Sequence, residues 1–271
     1  MVKVEIQDVS FSYDGGPEVI SGVSLAIPEG TSMVILGANG AGKTTLVKLF
    51  NGLLLPIKGS VLVDGRDTKK SSVSDISREV GVIFQNPEKQ FFSETVEEEL
   101  AFGPKNMGFS QQDTNEKILR VAEQFGLTQY LKKNPFDLSG GEKRRLSIAS
   151  VLVWEPQMIV IDEPTIGLDY QYRKYLISTL RNFVNKKRTV VIVTHDVDFA
   201  IHASRVAVLM SQGKILWNGP MFSLLRSPDT FAKANLVQTF LASLVGDLLS
   251  QEEAPNEELL ERFTKHVREA V

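Results

Sequence analysis

Ser32-Met33-Val34-Ile35-Leu36-Gly37-Ala38-Asn39-Gly40-Ala41-Gly42-Lys43-Thr44-Thr45 is the stretch on which the fold turns. Its first part is an apolar, branched run of strand length. Its second part is a glycine-rich turn closing on Lys-Thr, with a helical pattern over residues 43–51 behind it. A strand, such a loop and a helix in that order form the context of a phosphate-binding loop. Glycines let several backbone N–H groups converge on one anion, and the positive end of the following helix adds to the field. In that reading Gly37 to Thr45 wrap the phosphates, Lys43 reaches the β- and γ-phosphates, and Thr44 is a ligand of Mg²⁺.

Working outward, strand-like runs occur at residues 4–9, 19–27, 60–63, 80–84, 158–161, 189–194, 206–210 and 214–217. Many are separated by helical patterns, which implies an α/β chain with a mostly parallel, covered sheet. The expected core is a P-loop NTPase (RecA-like) sheet. The N-terminal strands lack intervening helices, so an antiparallel β-subdomain should flank it. Residues 86–153 turn helical and read as an inserted helical subdomain. The expected division is a phosphate-loop domain over residues 1–225 and a helical C-terminal extension over residues 226–271.

Composition narrows the function. The chain has 271 residues, 42% of them hydrophobic, a formal net charge of −3 and no cysteine. A slightly acidic chain lacks the basic footprint of bulk nucleic-acid binding. The absence of cysteine excludes disulfides and thiolate-bound zinc. The first residues alternate apolar and polar, unlike a signal peptide. Residues 236–249, the most apolar late segment, are too short and too interrupted to cross about 30 Å of hydrocarbon.

Met158-Ile159-Val160-Ile161-Asp162-Glu163 reads as a buried strand ending in two carboxylates. Asp162 is expected on the Mg²⁺ side, and Glu163 is placed to orient and deprotonate water. Such an ending is common by itself and gains meaning beside the phosphate loop. Between the two motifs stands Leu138-Ser139-Gly140-Gly141-Glu142, followed by Lys143-Arg144-Arg145. Here a hydroxyl and glycine amides open a helix, which is again an anion site.

With these three motifs in this order, the chain resembles the ABC ATPases over residues 3–220. The resemblance implies ATP and Mg²⁺ as ligands, and Tyr13 stacking on adenine. It also implies Gln85 beside the γ-phosphate and the metal, together with Thr44 and Asp162. His195 would contact the γ-phosphate, and Asp169 would lie in a loop crossing to a second ATPase. It further implies a head-to-tail dimer, identical or paralogous, in which Ser139, Gly140, Gly141 and Glu142 cover the partner's nucleotide. His202 and His266 carry no such expectation. Glu142 stands where glutamine is commoner, Ile166 where a small residue is frequent, and Tyr170 where proline often follows Asp169.

Phe84-Gln85-Asn86-Pro87-Glu88-Lys89-Gln90-Phe91-Phe92, Thr95-Val96-Glu97-Glu98 and Ala101-Phe102-Gly103-Pro104 look like the ATPases of energy-coupling-factor importers and their cobalt-type relatives. That branch implies an integral membrane coupling subunit, a separate substrate-binding membrane protein for vitamins or Co²⁺/Ni²⁺, and a peripheral place on the cytoplasmic face of the membrane. No nucleic-acid partner is implied. Glu88, Phe91, Phe92 and Glu98, within the acidic run 97–99, are the expected docking residues, an acidic rim around aromatics that suits a basic element. Other ABC transporters remain the alternative. A soluble ABC-type ATPase of DNA repair or translation would usually carry a long coiled-coil insert or two cassettes. A P-loop kinase or GTPase would lack the Ser139-Gly140-Gly141 element.

Leu236, Val237, Phe240, Leu241, Leu244, Val245, Leu248 and Leu249 form an apolar stripe at helical spacing. It is expected to pack on the chain's own core, with a partner ATPase as the alternative. Leu259, Leu260, Phe263 and Val267 form a second, weaker stripe.

Overall fold

The computed structural model describes residues 2–250. Two sheets organise it. The first is antiparallel, in the order β2 (Glu18–Pro28), β1 (Val2–Ser12), β4 (Lys58–Val63), β5 (Arg66–Asp67). The second has six strands in the order β10 (Lys214–Pro220), β9 (Val206–Ser211), β3 (Ser32–Leu36), β8 (Thr189–Thr194), β7 (Met158–Asp162), β6 (Val80–Ile83). Its strands pair in parallel except for β10, which pairs antiparallel with β9.

The parallel strands are near-continuous apolar runs because both of their faces are covered. Alternation survives as a choice of core. Val34, Leu36, Ile159, Ile161, Val190 and Ile192 face one cluster. Met33, Ile35, Met158, Val160, Val191 and Val193 face the other. The second cluster is filled by the antiparallel sheet and α1 (Lys43–Phe50). The first takes α3 (Val96–Asn106), α4 (Gln111–Gln124), α5 (Gly140–Leu152), α6 (Tyr170–Asn185) and α7 (Val197–Ala203). A short α2 (Val73–Ser77) precedes β6. Lys3, a polar member of the first alternating strand, is nevertheless buried, and it bonds Asp64 at 2.8 Å and Glu79 at 3.0 Å.

Beyond β10 lie α8 (Met221–Leu225), α9 (Pro228–Lys233) and α10 (Phe240–Ser250). Phe231, Ala242 and Val245 join the first core cluster. Gln238 Nε2 donates to Leu225 O at 2.8 Å, and Thr239 bonds Asp198. The stripe therefore divides: Val245 is buried and Leu236 and Leu241 pack partly buried on the first cluster, whereas Val237, Phe240 and Leu244 are exposed. The side chains of Leu248 and Leu249, the acidic segment 251–258 and the second stripe lie outside the described residues.

The expected docking segment needs correction in two places. Phe91 is 6% exposed and packs edge-on against Phe136, with centroids 6.4 Å apart, whereas Phe92 is 60% exposed and packs on Phe102 at 4.5 Å. The run at 97–99 is not one acidic face. Glu99 is buried and accepts from the Phe92 and Ser93 amides at 3.2 and 3.1 Å, holding the turn before α3. Glu98 closes a capping box with Thr95, and Glu97 pairs with Lys132. A helix start supplies unpaired amides, and carboxylates in its first turn find them before they find solvent.

Phe91→Ala should therefore destabilise the fold by about 3–5 kcal/mol. Phe92→Ala should cost about 1 kcal/mol or less, because it loses only a surface aromatic contact. Chemical denaturation of both variants measures the difference, and equal losses would place Phe91 outside the core.

Candidate functional site

The parallel register delivers the site. Leu36 on β3 pairs with Thr194 on β8, and Asp162 on β7 pairs with Val193. Three strands thus end at one level, and the residues just beyond their ends converge there. Gly37 begins the loop, Glu163 comes directly after Asp162, and His195 directly after Thr194.

A cavity of about 350 Å³ opens at this edge, lined by Asn39, Gly40, Gly42, Lys43, Thr44, Thr45, Gln85, Asp162 and Glu163, with Val19 and Ala41 at its side. Two glycines are dictated by space as well as by conformation. A Cβ on Gly37 would stand 2.6 Å from Met210 O. One on Gly42, whose φ is +97°, would stand 2.9 Å from Val19 O. The Lys43 ammonium is tied back to its own loop, donating to Gly37 O at 2.7 Å and Ala38 O at 3.1 Å. Burial pushes it down, a shift opposed by the nearby Glu163 and Asp162 charges. Thr44 Oγ1 donates to Asp162 Oδ2 at 2.6 Å. Burial pushes the Asp162 carboxyl up; the Thr44 bond opposes this and the Glu163 charge adds to it. Tyr13 reaches the same helix start, with its hydroxyl 3.2 Å from Thr45 Oγ1 and its ring edge-on to Phe11.

Glu163 is 4% exposed and has a left-handed backbone, φ +48°. A non-glycine residue in that region is strained. Its amide donates to Val193 O at 2.8 Å, which turns the side chain into the edge of the cavity. Both carboxylate oxygens are held: Thr194 Oγ1 donates to Oε2 at 2.9 Å, and His195 Nδ1 lies 2.7 Å from Oε1. Thr194 in turn accepts from Asp196 N at 3.0 Å, so its hydroxyl proton is directed at Glu163. The structure thus brings together Glu163 and His195, both expected from the sequence, and adds Thr194, whose only sequence signal is its adjacency to His195.

Ser139, Gly140, Gly141 and Asp169 do not line this cavity. They assemble elsewhere. Ser139 caps α5, Asp169 caps α6 by accepting from Tyr172 N at 2.9 Å, and a Cβ on Gly141 would stand 3.1 Å from Gly167 O. The Ser139 amide and hydroxyl donate to Glu142 Oε2 at 2.7 and 2.8 Å. Arg144 reads in the sequence only as part of a basic run, yet it is 1% exposed. Burial lowers its guanidinium to about 10, so it stays charged at neutral pH.

The ABC transporter family model matches residues 20–166, from β2 through the strand carrying Asp162 and Glu163 to the loop before α6. The chain belongs to this family. It is an ABC ATPase that binds ATP and couples its hydrolysis to transport. A Pyrococcus furiosus relative, provisionally named an ABC transporter ATP-binding protein, is 44% identical over 81% of this chain and 84% of its own length. The energy-coupling factor transporter ATP-binding protein EcfA of Methanocaldococcus jannaschii is 38% identical over 95% of this chain and 93% of its own. Among solved structures, cbiO1 of Clostridium perfringens, part of the ABC transporter complex cbiONQ, is 28% identical with a TM-score of 0.73, covering 90% of this chain and 98% of its own. Among the described residues of this ABC ATPase, no helix is long and apolar enough to cross a membrane.

The cap at the family's signature, Ser139-Gly140-Gly141-Glu142 at the start of α5, yields a pH test. Tyr130, then the Ser139 amide and hydroxyl, draw the Glu142 carboxyl from 4.5 to about 2. A carboxyl lowered in the folded state contributes above its unfolded value and is lost as pH falls through the folded one. Protection factors of the first amides of α5 should therefore decline between about pH 4.5 and 2 in this chain. In Glu142→Gln, where nothing titrates at that position, they should hold level. A parallel decline in both would remove Glu142 from the cap.

Proposed function

We propose that this ABC ATPase is the motor of an energy-coupling-factor importer, acting as one half of a head-to-tail ATPase pair on the cytoplasmic face of the membrane. The observation that carries the reading is the separation of its two anion-binding elements. Lys43, Thr44, Asp162 and Glu163 share one cavity, whereas the amides at the start of α5 lie outside it beside Gly167. A second ATPase, identical or paralogous, completes the cavity with its own signature residues, and Ser139, Gly140 and Gly141 serve the partner's nucleotide. Relatives named EcfA1 and EcfA align over 92% and 95% of this chain, which supports the branch. The cargo, a vitamin or Co²⁺/Ni²⁺, belongs to a separate membrane protein.

The donors fit Mg²⁺: a hydroxyl and a carboxylate oxygen 2.6 Å apart with Gln85 in the same cavity, all hard oxygen ligands. Thr44, Asp162 and Gln85 would hold the ion, which supplies charge neutralisation between phosphate oxygens. The loop amides bind the phosphates, and Lys43 exchanges its own carbonyls for them. Tyr13 offers a ring for the base. Glu163 takes a proton from water on the open side of its carboxylate while Thr194 and His195 keep it aimed.

Docking on an integral coupling subunit is assigned to the exposed Phe92, packed on Phe102, with Glu88 and Glu98 at its rim. Phe91 and Glu99 are withdrawn because both are buried. Glu88 Oε1 already accepts from Lys143 Nζ at 2.6 Å, which links this surface to α5.

Two experiments test the reading. Glu163→Gln should lower turnover by about 10²–10⁴-fold while sparing ATP affinity; near-normal steady-state hydrolysis would remove Glu163 from that role. Phe92→Ala combined with Phe102→Ala should release the membrane subunits on co-purification, since central aromatic anchors contribute about 2 kcal/mol or more each. ATP binding should persist in that double variant. Retained co-purification at wild-type level would leave the aromatic pair a mere surface contact.

A further inference from the structure

Arg144 poses a physical problem. It lies five residues beyond Ser139, in the second turn of α5. Its Nη1 donates to Phe84 O at 2.6 Å, and its Nη2 donates to Asp162 O and Glu163 O, both at 2.8 Å. Among the described residues its hydrogen-bond partners are carbonyl oxygens, and its Nε has none. The Asp162 and Glu163 charges offset only part of its burial, and an apolar side chain of similar volume often stabilises a core better than a buried charge. Stability is therefore a poor account of this residue.

Its three partners suggest another. Phe84 immediately precedes Gln85, and the other two carbonyls belong to the two acids at the end of β7. A planar guanidinium with donors fixed in a fork sets the relative positions of all three. The element that carries the guanidinium is the helix whose N-terminus is the signature. Lys143, its neighbour, reaches Glu88 on the far side of Gln85.

We infer that Arg144 is a positioning residue that joins the two ATP sites of the dimer, aligning Gln85, Asp162 and Glu163 in its own chain with the signature helix that covers the partner's nucleotide. A shift of α5 by one ATP is passed through three short hydrogen bonds to the carboxylates facing the other. The inference rests on the head-to-tail reading above.

Arg144→Lys keeps the charge and removes the fork. In the isolated full chain, amide exchange should become about tenfold faster both at residues 84–90 and at residues 162–168, the effect of losing charge-assisted bonds. Exchange in the core strand β8 should stay unchanged, which separates loosening at this point from general destabilisation. Unchanged exchange at either segment overturns the inference. The turnover number should fall about tenfold or more, with the KM for ATP retained.

Mixing variants then tests the coupling. Glu163→Gln and Ser139→Ala chains should rescue one another, because one composite site in the mixed pair holds both residues intact. Arg144→Lys should be rescued by neither. Rescue by the Ser139→Ala chain would confine Arg144 to its own site, and rescue by the Glu163→Gln chain would confine it to the signature; either result defeats the coupling. Failure of the control pair would refute the head-to-tail arrangement and with it the coupling between sites, leaving the exchange measurement to decide the clamp within one chain.

Discussion

The common level at which three parallel strands end is the constraint on which the rest depends. Parallel pairing fixes Leu36 opposite Thr194 and Asp162 opposite Val193. The site is assembled from segments far apart in sequence, the loop 37–45, the pair Asp162-Glu163 and the pair Thr194-His195. Slipping a strand by one residue would exchange the two cores and turn the side chains at its end to the opposite face. The two-sided core, with alternate residues committed to different clusters, makes such a slip costly along the whole strand.

On that frame the reactive groups are held under restraint. Lys43 is occupied by its own loop, Thr44 by Asp162, and Glu163 by Thr194 and His195. Each partner is one that a nucleotide, a metal or water can replace or share. The left-handed turn at Glu163 is the strained point, and strain of this kind persists only where the surroundings over-determine it. Here the Val193 carbonyl, the Thr194 hydroxyl and the Arg144 fork provide that determination.

The segment after Gln85 shows how residues that read alike in sequence divide between core and surface. Phe91 and Phe92 are identical residues side by side, so no compositional rule distinguishes them. The turn held by Glu99 sends one into the helical core and leaves the other on Phe102. Glu97, Glu98 and Glu99 look like one charge run and perform three tasks: a surface ion pair, a helix cap and a buried turn clamp. The same ambiguity runs through the late stripe, in which Val245 is covered and Leu241 packs on the core while Phe240 is 84% exposed.

By itself the sequence determined what rests on local chemistry. The buried strands were legible as apolar runs; residues 32–36 and 189–194 coincide with β3 and β8. The phosphate loop was legible because glycines stand where its backbone needs them, and the signature because Ser139-Gly140-Gly141 stands between that loop and the Asp162-Glu163 strand end. Tertiary structure alone decided which neighbours in sequence face opposite environments, and which distant groups meet. Arg144 was one cation in a row of three until packing closed over it. Thr194 was a strand residue until β7 placed Glu163 beside it. The physical reason is that burial and hydrogen-bond partnership are properties of the assembled layers, whereas propensity, capping and loop conformation are carried by a few consecutive residues.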